Sequence, residues 1–387
     1  MDYRQKALEL HQRLRGKIGI YNKINLQNEA DLALVYTPGV AEPCKLIAQN
    51  KELAYQYTAK GNLLAVVTDG TAVLGLGNLG PEAALPVIEG KCFLFKEFAD
   101  IDALPLCLGT TDVDEIVETI IHLAPTFGGI NLEDISSPRC FAILRKLKQK
   151  LSIPVFHDDC QGTAVVVLAA LINAAQILKR DLRQLEIVIN GVGAAGIGIA
   201  ELLKAAGLQK LILCTREGAL YPGCPQKLDE EQFRLVKSTN PERKKGKLLE
   251  VLSGADVFIG VSGPQVLNRE MIRKMNSQPI IFALANPLPE IKPEEALAAG
   301  AFIVGTGRSD YPNQINNLLA FPGIFRGALA VQAKEINELM LLEAARALAQ
   351  IIVPSKTRLL PKVFDSRVST VLAEAVAAAA FKSGVVR

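Results

Sequence analysis

The sequence predicts an α/β protein of two parts: an N-terminal α/β catalytic domain over 1–161, then a Rossmann-type doubly wound dinucleotide-binding domain with C-terminal helices over 162–387. Three observations predict it. The chain has 387 residues, more than one ordinary core organises. Short apolar runs rich in Val, Ile and Leu alternate with longer stretches of helical period, the pattern of a mainly parallel sheet covered on both faces. A Gly-x-Gly-x-x-Gly follows one such run and opens a helix pattern.

In the first part, Leu63–Val67 reads as a strand that ends in the turn signal Thr68-Asp69-Gly70. Gly128–Leu132 is a second strand and runs into Glu133-Asp134. Ile153–Phe156 is a third and runs into His157-Asp158-Asp159. The apolar stretch Thr163–Leu178 contains Asn173 and Gln176 and is short for a membrane span, so it reads as a buried helix. The boundary between the two parts falls near Gly162. In the second part the order is strand (185–190), glycine turn, helix to about Ala206 and strand (211–214), with further strands at Ala255–Val261 and Pro279–Leu284. Asn240–Lys247 is polar and basic and reads as a solvated surface loop.

Composition narrows the function. There are 43 basic and 40 acidic residues, a net charge of +3, which gives no electrostatic reason to expect nucleic acid or an anionic membrane as partner. The seven cysteines are scattered and form no Cys-x-x-Cys pair, so zinc cages and disulfide frameworks are not expected and a reducing cytoplasm is. Residues 1–20 mix charges with apolar residues at helical spacing and do not read as a signal peptide.

The glycine run is Gly191-Val192-Gly193-Ala194-Ala195-Gly196. Gly191 allows the tight turn, Gly193 lets the backbone approach a pyrophosphate, and Gly196 packs helix on sheet. Ala194 and Ala195 open the helix, whose free N–H groups face the phosphates. The following strand ends Cys214-Thr215-Arg216-Glu217. An acid about 20 residues past the loop would bind the ribose 2′-hydroxyl of NAD. Thr215 stands there, with Arg216 next to it, which leans the expectation slightly to NADP over NAD; Glu217 keeps NAD open.

Two carboxylate pairs, Glu133-Asp134 and Asp158-Asp159, sit just past strand ends, where open α/β sheets collect ligands. Four such groups repel unless a cation is present, and hard oxygen donors suit Mg²⁺ or Mn²⁺ rather than zinc. Adjacent strand residues point to opposite faces, so both members of a pair reach one ion only if the backbone turns there.

Several runs resemble the malic enzymes of short prokaryotic type. They are Tyr36–Ala41 (YTPGVA), Thr68–Gly70 with Val73–Pro81 (VLGLGNLGP), Glu89–Lys91, Phe95–Asp100, Gly128–Ile135 (GGINLEDI), Phe156–Ala164 (FHDDCQGTA), Phe282–Ile291 (FALANPLPEI) and Gly305–Gly327. They occur in one order along most of the chain. The resemblance implies oxidative decarboxylation of L-malate to pyruvate and CO₂ with NAD(P), dependent on a divalent metal, in a homodimer. By position it makes Lys91 the general base, Tyr36 the general acid and Asp158 the carboxylate that partners the lysine. It makes Glu133, Asp134 and Asp159 the metal ligands, and Asn286 and Asn317 the substrate amides. The chain departs from the pattern at Cys160-Gln161 and Thr215. It also lacks, at Thr71-Ala72, the substrate-binding arginine of larger malic enzymes, which leaves the distal malate carboxylate without an assigned partner. A malolactic-type decarboxylase and a silent dinucleotide- or malate-sensing protein are the alternatives.

Overall fold

The computed structural model describes residues 3–387. It contains two separate sheets, both essentially parallel. The first holds β1 (Leu63–Thr68), β2 (Asp102–Cys107), β3 (Gly129–Leu132) and β4 (Val155–His157), in the order β2-β1-β3-β4. The second holds β5 (Ile187–Asn190), β6 (Leu211–Thr215), β7 (Gly218–Ala219), β8 (Val257–Gly260), β9 (Ile280–Ala283) and β10 (Ile303–Thr306), in the order β10-β9-β8-β5-β6-β7. The two-residue β7 runs antiparallel to β6 and closes that edge. β1, β3, β4, β5, β8, β9 and β10 are almost wholly buried, as the unbroken apolar runs require of strands covered on both faces.

Register decides what meets at the strand tips. Val67 pairs with Leu132, and Leu132 with His157. Thr68-Asp69, Glu133-Asp134 and Asp158-Asp159 therefore emerge together along one edge of the first sheet. In the second sheet Asn190 pairs with Cys214 and Gly260, Gly260 with Ala283, and Ala283 with Thr306. Gly191, Thr215, Leu284 and Gly307 follow at its corresponding edge.

The strands expected from the sequence at 63–67, 128–132, 153–156, 185–190, 211–214, 255–261 and 279–284 are all present, with ends shifted by a residue or two. Strands β2, β7 and β10 were not anticipated. β2 is an edge strand of half-buried residues whose apolar run is broken by Pro105. β7 has only two residues. β10, though buried, is a four-residue run directly after an alanine-rich helical stretch, which periodicity does not separate from it. The Asn240–Lys247 loop is more structured than a solvated charge run. Asn240 donates to Leu220 O and Lys244 O, Ala219 N–H donates to Gly246 O, and Lys244 pairs with Glu186.

Helix Thr163–Leu178 is apolar all round and mostly buried. With the turn before it, it is long and apolar enough to cross a membrane by length and composition, yet two thirds of it, 67%, is buried inside the protein. It packs against helices Ala194–Ala205 and Glu338–Gln350. The C-terminal helices reach back to the first sheet. Phe321 and Phe325, on helix Phe321–Ala330, meet Phe95 edge-on at 4.8 and 5.5 Å, and Phe325 meets Phe156 at 5.6 Å. Each such pair contributes about 0.5–1.5 kcal/mol beyond the area it buries.

An ion pair ties the far end of the second sheet. Arg180 grips Asp256 with two bonds, of 2.7 and 3.2 Å. Asp256 also accepts from the Glu186 N–H and the Asn276 amide. Burial would raise the Asp256 carboxyl, but these donors outweigh it and hold it below its ordinary 3.8. A carboxylate lowered in the folded state stabilises fully at pH above 3.8 and loses that contribution as acid protonates it through the folded value. Asp256→Ala is expected to cost about 2–3 kcal/mol at neutral pH, since charged hydrogen bonds are lost from a buried site. The gap between the thermal midpoints of wild type and variant should narrow progressively in acid below pH 3.8.

Candidate active site

Helix Pro81–Ala99 begins with Pro81 at its first turn and packs beside β1 and β2. Its inward face carries Ala84, Ile88, Lys91, Cys92 and Phe95. Lys91 is thus delivered to an apolar face near the strand tips, where only carboxylates can compensate its charge. Its Nζ lies 2.8 Å from Glu133 Oε1 and 2.5 Å from Asp158 Oδ2, and 4.1 Å from the centre of the Phe321 ring. Asn317 donates its amide to the same Asp158 Oδ2 at 2.7 Å, and Asn131 donates to Glu133 Oε2 at 2.9 Å.

The backbone turns at both acidic pairs, the condition for their members to converge. Asp134 has φ 53, in the left-handed region. Asp158–Gly162 forms a single π-helical turn directly after β4. The turns are locked to each other by the Asp134 N–H, which donates to Asp159 Oδ2 at 2.9 Å. Arg139 braces the loops from behind. It pairs with Asp69 at 2.7 Å and donates to Thr71 Oγ1 and Ser136 Oγ.

Electrostatics follow from burial. Desolvation pushes the Asp134 carboxyl up to about 7 and Asp158 up to about 6, with neighbouring carboxylates adding to it and Lys91 opposing it. Glu133 is raised for the same reasons. Burial alone would lower Lys91, but Asp158 and Glu133 reverse this and hold it as an ammonium. A base needs the opposite, a depressed lysine, so Lys91 cannot take a proton until that grip is relaxed.

The donor set fits a hard divalent cation. Asp134 Oδ2 and Asp158 Oδ1 are buried without a hydrogen-bond partner, and clustered anionic oxygens of this kind are the ligands Mg²⁺ and Mn²⁺ take. Among the described residues no three acidic, histidine or cysteine side chains already surround one point. Lys91 instead lies between two of the carboxylates. His157, beside the pair, is buried and its Nδ1 accepts from the Cys160 N–H, a bond that fixes the turn.

These groups open into a cleft of about 1120 Å³. The loops after the first sheet's strands line it with Ala72, Leu74, Glu133, Asp134 and Asp159, helix Pro81–Ala99 with Lys91, and the loops of the second sheet with Asn286, Pro287, Arg308, Asn316 and Asn317. The two sets of loops touch: a Cβ on Gly75 would lie 2.5 Å from Asn286 O. Glu290, fully buried, holds Asn286 in place by accepting from Ala285 N–H and Ser262 N–H, both at 3.1 Å. Of the residues expected from the sequence, Lys91, Asp158, Glu133, Asp134, Asp159, Asn286 and Asn317 come together here. Tyr36 does not. It is 69% exposed, follows helix Glu29–Val35 and is not among the residues lining the cleft. Asn131, Arg139, Phe321, Arg308 and Glu290 were not foreseen in these positions, although Asn131, Glu290, Arg308 and Phe321 lie within runs quoted above.

The glycine loop has the build of a phosphate cradle. Gly191 has φ +111, and a Cβ there would meet Val261 O at 2.5 Å. A Cβ on Gly196 would lie 1.9 Å from Gly191 O, so only glycine allows the helix to start this close to β5. Around Gly193 there is nothing within 4 Å, which is the room a pyrophosphate needs. Ala194 and Ala195 open helix Ala194–Ala205 behind it. Thr215 ends β6, half-buried, and Arg216 is exposed beyond it.

A dinucleotide-binding sheet whose loops share a cleft with a lysine buried among carboxylates defines an oxidoreductase of two α/β domains. Residues 14–148 match the family model of the malic enzyme N-terminal domain, and residues 160–381 that of the malic enzyme NAD-binding domain; the chain belongs to the malic enzyme family. It is 53% identical over 390 residues to the bifunctional malic/malolactic enzyme of Bacillus subtilis, covering 100% of this chain and 95% of that one. It is 52% identical to the NAD-dependent malic enzyme of Geobacillus stearothermophilus, covering 96% of this chain and 78% of the relative. The crystal structure of the NAD-dependent malic enzyme from Thermotoga maritima superposes with a TM-score of 0.94 at 49% identity, covering 96% of this chain and 98% of that one.

Two glycine substitutions separate the two functions of the loop. Gly193→Ala should fold with an unchanged thermal midpoint but bind dinucleotide at least about 10-fold more weakly, because the methyl group enters the phosphate space. Gly196→Ala should destabilise the protein itself by about 2 kcal/mol or more through overpacking. Thermal unfolding together with a fluorescence titration of reduced dinucleotide reads both.

Proposed function

We propose that this chain catalyses the oxidative decarboxylation of L-malate to pyruvate and CO₂, with NADP or NAD as hydride acceptor and Mg²⁺ or Mn²⁺ bound. The observation that carries the reading is Lys91, buried between Glu133 and Asp158 in a cleft that the dinucleotide-binding sheet closes from the other side. Glu133, Asp134 and Asp159 are the residues that would hold the metal. When bound, such an ion is a Lewis acid that polarises the substrate oxygen and favours loss of CO₂.

The chain's own residues do the rest. Asn286 and Asn317 present amides to the substrate. Lys91, once neutral, takes the proton of the C2 hydroxyl while hydride leaves C2 for the nicotinamide. Asp158 orients the amine and shares its proton. Tyr36 delivers a proton to C3 after CO₂ departs. Thr215 and Arg216 support a lean to NADP, since a hydroxyl and a guanidinium suit a 2′-phosphate. The kinship with a bifunctional relative favours one second reading, a malolactic reaction with no net redox. Absorbance of reduced nicotinamide during turnover separates the two.

We further propose a cytoplasmic homodimer. The seven cysteines are unpaired, as suits a reducing compartment. The three helices within residues 3–49 bury no residue, and Leu8, Ile20, Tyr21, Ile24, Leu34 and Tyr36 are exposed. An apolar face this long calls for a partner. A second copy over it gives Tyr36 a route to a cleft it does not line within its own chain.

Two results are expected. Exhaustive chelation abolishes decarboxylation and Mn²⁺ restores it; full activity in chelator would remove Glu133, Asp134 and Asp159 from the metal role. Lys91→Ala and Tyr36→Phe each lose about 10²–10⁴-fold in rate, the usual worth of an acid or base. Mixed and reassorted, the two inactive variants should recover about a quarter of wild-type activity, since half of the dimers are hybrids with one whole site of two. No recovery would mean that lysine and tyrosine act within one chain.

A further inference from the structure

The cleft must receive two carboxylates if its substrate is a dicarboxylate, and its cations are few. Lys91 is neutralised by Glu133 and Asp158. Lys17 is engaged by His11 and by Pro86 O. Arg308 is the arginine among the cleft's lining residues. It follows Gly307 at the tip of β10, with a side chain about one-third exposed, 34%. Its Nε and Nη2 grip both oxygens of Asp310 at 2.8 and 2.6 Å, and its Nη1 donates to Pro287 O at 2.8 Å.

Those bonds use three of the five N–H groups a guanidinium carries and leave two on its terminal nitrogens. The Asp310 fork holds the guanidinium plane in one orientation, so its second edge is preset to receive another carboxylate side by side. The edge also has the right neighbour. Pro287 O belongs to the residue after Asn286, and a Cβ on Gly307 would lie 3.1 Å from Asn286 Nδ2. The amide proposed to hold the substrate and the guanidinium are therefore adjacent, on loops from β9 and β10 that Arg308 itself links.

We infer that Arg308 binds the distal carboxylate of the substrate, the one on C3, and so selects a dicarboxylic over a monocarboxylic 2-hydroxy acid. The inference rests on the malate reading above. It also answers what stands in for a cationic residue at Thr71-Ala72: there Thr71 serves Arg139 and Asp69 instead.

Equilibrium binding tests it apart from turnover. Malate and lactate, which differ by that one carboxylate, are titrated calorimetrically into the enzyme with Mn²⁺ and reduced dinucleotide, a combination that prevents oxidation. Arg308→Gln should weaken malate by about 10–100-fold, the worth of charge-assisted hydrogen bonds, and leave lactate within about 3-fold. Arg308→Lys keeps the charge without the fork, and should weaken malate less while still sparing lactate. It also carries the test should the Gln variant fail to fold. Equal weakening of both acids would make Arg308 a brace for the Asn286 loop, and weaker dinucleotide binding alone would make it a cofactor ligand; either result overturns the inference, as does malate binding left unchanged. Failure of wild type to form pyruvate from malate would instead overturn the malate reading.

Discussion

A lysine ammonium cannot be stripped of water without a compensating charge, and Lys91 is stripped of nearly all of it. The apolar face of helix Pro81–Ala99 drives it inward, and Glu133 and Asp158 meet it there. The rest of the site follows from that enclosure. Two carboxylates bound to a lysine must themselves be supported, by Asn131 and Asn317. The acidic residues beside them, Asp134 and Asp159, are left with more negative charge than the protein satisfies, an oxygen without a partner included. Lys91 stands at the centre of this arrangement. A divalent cation held as proposed by Glu133, Asp134 and Asp159 would draw on Glu133, one of the two carboxylates that hold the lysine.

Parallel sheets make this arrangement possible. In a parallel sheet every strand ends at the same edge, and register sets how nearly the ends align. Here pairing of Val67 with Leu132 and of Leu132 with His157 brings acids far apart in sequence to one rim. The same rule at the second sheet gathers the glycine loop, Thr215, the Asn286 loop and Arg308. Close approach between the elements is managed by small residues. Gly198, on the dinucleotide helix, has no room for a Cβ against Cys160, so that helix rests directly on the turn that carries Asp158 and Asp159. The glycine-loop helix and the carboxylate turn are thus in direct packing contact.

The C-terminal helices make the two sheets interdependent. Phe321 faces Lys91 across 4.1 Å and also packs edge-on against Phe95. Asn317, four residues earlier, completes the environment of Asp158. A segment that follows the last strand of the second sheet therefore finishes the site of the first. Arg326 and Arg387 add polar ties to Asn62 and Glu52. The aromatic wall above the ammonium contributes a cation–π attraction and excludes water, which sharpens every charge interaction beneath it.

The sequence by itself determined the α/β class, nearly all the buried strands, the dinucleotide loop and both carboxylate pairs. Each of these is a local pattern: an apolar run, a glycine spacing, an acid just past a strand end. Strand β2 escaped because a proline breaks its half-buried run, and β10 because a four-residue run after an alanine-rich helix does not stand out by period. Lys91, Tyr36, Asn286 and Asn317 carried no local signal either and entered through resemblance to a family. What only the tertiary structure decided was which of these groups meet. It put Lys91 between Glu133 and Asp158 as an ammonium, where the general-base role implied by the resemblance calls for a neutral amine. It turned the backbone at both acidic pairs and bonded the two turns to each other, set Arg308 beside Asn286, and left Tyr36 outside its own chain's cleft. The reason is physical: charge state and convergence depend on burial and distance between residues far apart in the chain, and those are fixed only when register and helix packing have been settled.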